Sequence, residues 1–299
     1  MTMPSVDSID DLQNALHRLL YIADRGLATS IFLAIKLGRP LFLEGEAGVG
    51  KTEVAKVLTE VLHADLIRLQ CYEGLDERQA VYEWNYTRQM MHIRLAESRG
   101  EKVEEDDLFG PRFLMRRPLL QAIEGSREKP VVLLVDEIDR SDEEFEAYLL
   151  EILSDFQITI PEIGTIKAQQ PPVVVITSNR TREVHDAIKR RCLYYWIDYP
   201  SFERELQIVN AKVPQAPSQL AREVTAFIQE IRRAELFKAP GVAETLDWVA
   251  ALVALSQEKL EPRIVEETLG VILKYQDDVD KVKSQGIDTL LERVSMVGL

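Results

Sequence analysis

The sequence has few cysteines and no long apolar run. Only Cys71 and Cys192 occur among the 299 residues, and neither belongs to a Cys-x-x-Cys pair or to a Cys/His ligand spacing. This scarcity argues against a disulfide framework, a structural zinc site and a redox dithiol. No uninterrupted apolar stretch approaches the roughly 20 residues of a membrane-spanning helix. Residues 1–11 are acidic where a signal peptide would be basic and then apolar. We therefore expect a cytoplasmic protein without a membrane span.

Basic residues are also in short supply. The chain has 36 Lys and Arg against 50 Asp and Glu, a formal net charge of −14. General affinity for nucleic acid or anionic lipid comes mostly from clustered Lys and Arg, so nucleic acid is not an expected partner. The four histidines are scattered along the chain without a ligand spacing, at positions 17, 63, 92 and 185. No metal site is predicted from them.

Short apolar strands alternate with amphipathic helices over the first two thirds of the chain. Two helices, capped at Ser8 and separated near Gly26, precede the first strand. Strands are predicted at residues 40–43, 66–69, 131–135, 173–177 and 193–197. Such a pattern is typical of an α/β fold whose parallel sheet is covered on both faces.

The strands stop after Pro200. The remaining pattern predicts helices only, at residues 202–211, 220–235, 242–256, 263–277 and a last one to about Val294. We therefore expect an α/β domain over residues 1–200 and a helical domain over residues 201–299.

A glycine-rich loop follows the first predicted strand and precedes a predicted helix. Its sequence fits G-x-x-x-x-G-K-[ST] at every fixed position, in the residues Gly45, Glu46, Ala47, Gly48, Val49, Gly50, Lys51 and Thr52. The glycines allow backbone N–H groups to surround phosphates at a helix N-terminus, where the dipole favours negative charge. Lys51 would reach the β- and γ-phosphates, and Thr52 would offer its hydroxyl to Mg²⁺. ATP with Mg²⁺ is the expected ligand.

Two carboxylates end a second buried strand. The apolar residues 131–135 run into Asp136-Glu137, so Asp136 is expected to bind Mg²⁺ together with Thr52. Glu137 is expected to orient and polarise the attacking water, the role that separates NTP hydrolases from P-loop kinases. The plain alternative is the capped start of a helix, with Asp139 or Ser141 as the cap before the acidic residues 142–144.

With both motifs, the sequence resembles the AAA+ ATPases, and within them the MoxR group, over most of its length. The resemblance implies a three-layer α/β domain, a helical lid, an insert in helix 2 and a hairpin before the sensor 1 residue. Residues 156–166 alternate like that hairpin. Asn179, after residues 173–177, resembles sensor 1, which helps position the water; a strand-ending turn is the plain alternative.

A basic cluster lies where the family places its arginine finger. Arg190 and Arg191 precede the last predicted strand. The resemblance implies that one of them, with a slight preference for Arg191, reaches the γ-phosphate bound to a neighbouring subunit, and hence that the chain forms a homo-oligomer, a hexameric ring. An exposed surface cluster is the alternative.

Two stretches depart from the usual MoxR pattern. Glu244 stands where relatives carry the sensor 2 arginine of the lid, so sensing through the lid must use another residue, such as Arg263, or be weak. Residues 71–76, 81–86 and 244–248 resemble the subgroup linked to maturation of aerobic carbon monoxide dehydrogenase. Tyr82, Trp84 and Tyr86 could grip a client, although aromatic residues at this spacing more often pack in a core.

The resemblance implies three functional hypotheses. The first is an ATP-hydrolysing chaperone that remodels a partner, a metalloenzyme such as a molybdenum hydroxylase or carbon monoxide dehydrogenase that awaits its metal cofactor. The second is a nucleotide-dependent binding switch acting with a von Willebrand factor A domain protein. The third, a DNA-directed motor, is disfavoured by the acidic charge balance.

Overall fold

The computed structural model describes residues 6–125 and 128–297. Its strands are β1 (Leu41–Gly45), β2 (Asp65–Gln70), β3 (Tyr82–Trp84), β4 (Leu114–Arg116), β5 (Val131–Asp136), β6 (Gln157–Ile160), β7 (Gly164–Lys167), β8 (Val173–Ser178) and β9 (Leu193–Ile197). The helices up to the last strand are α1 (Ile9–Arg18), α2 (Arg25–Leu37), α3 (Lys51–Leu62), α4 (Glu77–Ala80), α5 (Tyr86–Arg99), α6 (Glu105–Leu108), α7 (Pro118–Glu124), α8 (Glu143–Asp155) and α9 (Asp186–Arg191). The later ones are α10 (Phe202–Lys212), α11 (Ser218–Arg232), α12 (Val242–Ala254), α13 (Pro262–Ile272), α14 (Gln276–Ser284) and α15 (Ile287–Val297).

Five strands form one sheet in the order β2-β5-β8-β1-β9. The β2/β5, β5/β8 and β8/β1 pairs are parallel, and β5 and β8 are buried along their whole length. Burial on both faces explains why these strands read as continuous apolar runs rather than as alternating ones. The predicted α/β fold with a parallel sheet is confirmed. Because parallel strands end at one edge, the register brings together the segments that follow β5 and β8.

Tertiary contacts divide the chain into two compact units. Among the described residues, one unit comprises 6–12, 25–44, 52–125 and 128–196, and the other comprises 13–24, 45–51 and 197–297. The loop that precedes α3 therefore belongs, by its contacts, with the helical unit. The division predicted at residue 200 remains a prediction.

A small insert separates β2 from α7. It contains α4, α5, α6 and the antiparallel pair β3/β4. Trp84 is buried there and packs edge-on against Phe109 and Tyr82, whereas Tyr86 is exposed on α5. The three aromatic residues thus do not form one exposed cluster. Trp84 belongs to the core.

The alternating segment after α8 is a hairpin, as its pattern predicts. β6 and β7 pair antiparallel, with Ile158 opposite Ile166 and Ile160 opposite Gly164. Ile158 and Ile160 are buried, so one face of the hairpin is attached to the core of its unit.

The predicted break near Gly26 is wrong by a few residues. α1 ends at Arg18, α2 begins at Arg25, and Gly26 lies in the first turn of α2. The chain leaves helical geometry earlier, where Leu20 has a φ of +60°. A glycine in an exposed first turn costs little, so it was a poor marker of the break. Ser8 caps α1 as predicted, because its hydroxyl accepts a hydrogen bond from the N–H of Asp11.

Only helices follow β9 in the described residues, as predicted. They enclose a core that includes Leu220, Phe227, Trp248 and Leu269. The single helix predicted over residues 263–277 is wrong, because α13 ends at Ile272 and α14 begins at Gln276. The turn between them allows the buried carboxylate of Asp278 to accept the backbone N–H groups of residues 237 and 238, contacts that a sequence period does not reveal.

Candidate functional site

The glycine loop connects β1 to the N-terminus of α3. Gly48 and Gly50 have φ values of +78° and +94°, a region that side chains with a Cβ rarely adopt. The buried Lys51 begins α3, and its Nζ donates to the carbonyl oxygens of Gly45 at 2.7 Å and Glu46 at 2.6 Å. A glycine loop that opens onto a helix N-terminus, with an ammonium inside it, has the donors that an oligophosphate requires.

The carboxylate of Asp136 is buried at the end of β5. Its Oδ1 accepts the hydroxyl of Thr177 at 2.5 Å and the hydroxyl of Thr52 at 3.0 Å. Its Oδ2 accepts from Nη2 of Arg68 at 2.6 Å. Thr52 and Asp136, which the sequence predicts as Mg²⁺ ligands, are therefore in contact. A hydroxyl and a carboxylate oxygen are the hard ligands that Mg²⁺ prefers, so these two residues fit the ion.

Glu137 has a strained backbone and three donors on its carboxylate. Its φ and ψ of +57° and +52° place it in the left-handed region, at a cost of about 1–3 kcal/mol for a residue with a Cβ. The hydroxyl of Thr177 accepts its backbone N–H at 2.9 Å, which supports this conformation. Asn179 Nδ2 donates to Oε1 at 3.2 Å, while Gln70 and Arg140 donate to Oε2 at 2.9 and 3.1 Å. The structure thus brings Glu137 and Asn179 together.

Asp139 is a further buried carboxylate, and sequence reasoning gave it only a capping role. It accepts the backbone N–H of Asn179 at 3.2 Å, and the N–H and hydroxyl of Thr181 at 2.8 and 2.7 Å. These contacts fix the turn after β8 that carries Asn179. Three acceptor contacts on one buried carboxylate identify Asp139 as a positioning residue for that turn.

Arg68 and Gln70 were also missed by the sequence reading. Both lie on β2 and project from the same side of the strand, with Gln70 in register with Asp136. The available signal was a pair of polar residues, two positions apart, at the end of the second predicted strand.

The N-terminus of α12 packs directly against the glycine loop. The N–H of Ala243 donates to the carbonyl oxygen of Gly48 at 3.1 Å, and a Cβ added to Gly241 would lie 2.6 Å from the carbonyl oxygen of Ala47. Oε2 of Glu244 accepts the N–H of Gly241 at 3.0 Å and lies 2.8 Å from the position of a Cβ on Gly48. The carboxylate of Glu244, for which the sequence predicts the sensor 2 position, therefore lies beside the loop.

Arg263 does not take over that place. Its side chain is 89% exposed on α13, and its Nε donates to Glu267 one turn later at 2.8 Å. Arg263 therefore forms a solvent-exposed ion pair with Glu267 on its own helix.

The two candidate finger arginines end α9. Arg191 is exposed, with Nε donating to the hydroxyl of Ser154 at 2.7 Å and Nη1 to the carbonyl oxygen of Ala187 at 3.2 Å. Arg190 is exposed as well. The guanidinium of Arg39 donates to the carbonyl oxygens of both residues at 2.9 and 3.2 Å, and so ties down the end of the helix.

Both cysteines are buried, and neither is a candidate nucleophile. Burial raises the pKa of the Cys71 thiol to about 12, with a further contribution from the negative charge of Asp136. Burial likewise raises the pKa of the Cys192 thiol to about 12. Within residues 6–125 and 128–297, no group of three or more His, Cys, Asp or Glu side chains is arranged to hold a metal ion.

A family model for the AAA domain (dynein-related subfamily) matches residues 40–192, a little over half of the chain. The chain belongs to this AAA family. Membership implies nucleotide binding, typically with Mg²⁺, and supports ATP hydrolysis in general; AAA proteins typically assemble as rings. The matched segment includes the glycine loop, Asp136, Glu137, Asn179 and both finger candidates.

Individual relatives are distant. The AAA chain is 27% identical over 256 residues to the chaperone protein ClpB of Oceanobacillus iheyensis, covering 84% of this chain but 27% of that relative. A protein from Staphylococcus epidermidis is 22% identical over 228 residues, 74% of this chain and 78% of its own. A crystal structure from Cytophaga hutchinsonii, provisionally described as an ATPase, covers 95% of this chain and 93% of its own with a TM-score of 0.50 and 16% identity. That likeness is one of fold.

In the part of the AAA chain that the structure describes, no helix is both long enough and apolar enough to cross a membrane.

Proposed function

We propose that this AAA protein is an ATP-hydrolysing machine of the MoxR type that remodels a partner protein. The observation that carries the proposal is the hydrogen bond between Asn179 and Glu137, beside the contact between Thr52 and Asp136. Four residues from three separate motifs thereby form one chain of contacts at the carboxyl edge of the sheet. Such a set matches the needs of phosphoryl transfer to water: charge neutralisation, a proton acceptor and a group that positions the nucleophile.

Each residue has a distinct role in this proposal. The backbone N–H groups of residues 45–51 and the ammonium of Lys51 bind the phosphates, and the hydroxyl of Thr52 and the carboxylate of Asp136 bind Mg²⁺. When bound, the ion would supply positive charge that neutralises the phosphate oxygens. Glu137 accepts the proton of the attacking water on a carboxylate oxygen, and the amide of Asn179 fixes where that water lies.

The partner is proposed to be a metalloenzyme that awaits its metal cofactor, of the molybdenum hydroxylase or carbon monoxide dehydrogenase class. Support comes from residues 71–76, 81–86 and 244–248, which resemble the subgroup linked to such enzymes. The similarity to a protein described as a chaperone agrees with remodelling of a protein rather than of a small molecule.

One observation favours a second candidate, a nucleotide-dependent binding switch acting with a von Willebrand factor A domain partner. The carboxylate of Glu137 is already engaged by Gln70, Arg140 and Asn179. Three donors occupy most of the roughly four lone-pair sites of a carboxylate and restrict the approach of water to its oxygens, so hydrolysis in this arrangement would be slow and nucleotide binding itself would carry the signal.

The primary test is the rate of ATP hydrolysis per subunit, measured from nanomolar to tens of micromolar protein. Wild type should hydrolyse ATP at a rate that climbs and then saturates, because a site completed by a neighbour gains activity on assembly. Glu137→Gln should bind ATP with little turnover, and Lys51→Ala should lose binding. Turnover by Glu137→Gln equal to that of wild type would refute the proposed roles.

The switch and the machine are separated by a maturation assay. Glu137→Gln, saturated with Mg-ATP, is added to the immature metalloenzyme, and metal content is measured. If the trapped variant supports full metal insertion, the switch is correct; if it supports none while wild type does, remodelling requires hydrolysis.

A further inference from the structure

The carboxylate proposed to bind Mg²⁺ already has a cationic partner. Arg68 reaches from β2, and its Nη2 lies 2.6 Å from Oδ2 of Asp136. The pair is asymmetric, because the side chain of Asp136 is 3% exposed and that of Arg68 is 51% exposed. Oδ1 is occupied by the hydroxyls of Thr52 and Thr177, so the guanidinium contacts the oxygen that remains.

A buried carboxylate without a compensating charge is strongly disfavoured. The guanidinium supplies that charge in the structure, and a Mg²⁺ ion bound to Asp136 would supply it equally. Both cations at contact distance from one carboxylate would repel each other. Binding of the ion therefore favours departure of Arg68, whose half-exposed side chain can return to water at small cost.

We propose that Arg68 is a displaceable counter-cation of Asp136, which occupies the carboxylate until Mg²⁺ arrives with the nucleotide. The inference rests on the proposed function only in that Asp136 is taken as a ligand of the ion. Its consequence is that Arg68 sets the Mg²⁺ concentration at which nucleotide binding is half complete. Arg68 is thus a positioning residue that acts through Asp136.

The same guanidinium is connected to Glu137. Nη2 of Arg68 also donates to Oε1 of Gln70 at 2.6 Å, while Nε2 of Gln70 donates to Oε2 of Glu137 at 2.9 Å. Displacement of Arg68 therefore removes one of the contacts that hold the Gln70 amide against Glu137. Binding of the ion at Asp136 therefore changes the hydrogen bonding of Glu137, the proposed proton acceptor.

The test is a Mg²⁺ titration of the binding of a fluorescent ADP analogue, which needs no turnover. Arg68→Gln should lower the half-saturating Mg²⁺ concentration on the order of tenfold, a usual size for coupling between two ligands. Arg68→Lys, which keeps the charge, should stay close to wild type. Arg94→Gln, which removes an exposed arginine of α5, is the matched control and should leave the midpoint unchanged.

A second readout uses the nucleotide-free protein. Arg68→Gln should lower its melting temperature, because Asp136 loses its counter-charge, and Mg²⁺ with ADP should restore most of that loss. An unchanged or raised Mg²⁺ midpoint in Arg68→Gln would overturn the proposal, since an arginine that only stabilises the fold, or one that helps bind the ion, predicts those results.

If Arg68→Gln does not fold, the proposal can still be tested with Asp136→Asn and with the double variant. In an Asp136→Asn background the carboxylate charge is gone, so Arg68→Gln should then fold and cost little stability. If the double variant also fails to fold, Arg68 acts on the structure independently of Asp136 and the proposal is wrong. If instead wild-type binding does not depend on Mg²⁺, the assignment of Asp136 as a ligand fails, a result distinct from failure of the role of Arg68.

Discussion

Three carboxylates within four positions of the chain have three different environments. Asp136 is buried against two hydroxyls and a guanidinium, whereas Glu137 is 31% exposed and held by amide and guanidinium donors. Asp139 is buried against the turn after β8. The roles proposed for them, a metal ligand, a proton acceptor and a positioning residue, follow from these neighbours and not from side-chain chemistry, which is the same in all three.

The role of Asp139 can be tested by Asp139→Asn. The amide cannot accept all the N–H and hydroxyl donors from residues 179 and 181, so the turn should loosen and the unfolding free energy should fall by about 1–3 kcal/mol. We expect turnover to fall more than nucleotide affinity, because Asn179 moves while the glycine loop does not. Urea unfolding, turnover and nucleotide Kd measure this; a Kd that rises as much as turnover falls would contradict it.

The two thiols give a prediction about pH. Burial raises both pKa values to about 12, above the ordinary value of 9.0, so the thiolate is scarce in the folded protein throughout pH 7–9. Alkylation by iodoacetamide should therefore be very slow in native buffer and rapid in guanidinium chloride, where the thiols ionise normally. Mass spectrometry of the labelled protein checks this. Fast labelling of either cysteine in the native protein would show that it is accessible.

At the scale of elements, the beginning of α12 and the glycine loop form one packed unit. Backbone approaches backbone, since Gly241 leaves no room for a Cβ beside Ala47 and Gly48. The N–H of Ala243 is used by the carbonyl oxygen of Gly48. A movement of α12 is therefore expected to move the loop, and a phosphate bound to the loop is expected to bias the position of α12.

Gly241→Ala tests that coupling. Its methyl group would lie 2.6 Å from a backbone oxygen of the loop, so the loop or the helix must shift; we expect a loss of about 1–3 kcal/mol of stability and weaker nucleotide binding. Gly270→Ala in the exposed last turn of α13 is the control, because its Cβ would meet nothing within 4 Å. That control should gain about 0.5–1 kcal/mol with unchanged nucleotide Kd. Equal behaviour of the two variants in nucleotide titrations would disprove the coupling.

At the scale of the whole molecule, the open question is whether one chain holds a complete site. Arg190 and Arg191 lie at an exposed helix end that Arg39 fixes through backbone carbonyls. These hydrogen bonds fix the backbone at the end of α9 and leave the guanidinium groups of Arg190 and Arg191 exposed. An arginine that must extend toward another subunit requires this arrangement. The pairs that Arg191 makes with Ser154 and Ala187 are with uncharged partners and are easily exchanged for a phosphate.

A mixing experiment tests completion of the site by a neighbour. Arg191→Ala should bind ATP but not hydrolyse it, whereas Lys51→Ala should not bind ATP but should still offer its arginine. Mixed together, the two inactive variants should regain turnover. At some interfaces an Arg191→Ala subunit supplies an intact nucleotide-binding loop and its Lys51→Ala neighbour supplies an intact arginine. Arg190→Ala in place of Arg191→Ala shows which arginine acts. Failure of both mixtures would argue against an arginine finger from this cluster.

The sequence by itself determined the elements and motifs whose cause is local. The apolar runs of β5 and β8 predicted buried parallel strands. The glycines of residues 45–50 predicted a loop, because residues with a Cβ rarely adopt the φ values found there. The alternation over residues 156–166 likewise predicted the hairpin that β6 and β7 form. The expected contact of Thr52 with Asp136 is present, since parallel strands end at a common edge.

The tertiary structure decided what depends on residues far apart in the chain. Three contacts join segments that are 67 to 196 positions apart. Arg68 pairs with Asp136, Gln70 donates to Glu137, and the carboxylate of Glu244 lies beside Gly48. No periodicity or local propensity encodes such contacts. The interruption after Ile272 also escaped the sequence pattern, because the buried carboxylate of Asp278 is satisfied by backbone donors about 40 residues earlier. Local geometry depends on neighbouring residues, whereas the charges that surround a site depend on how strands and helices distant in the sequence pack together.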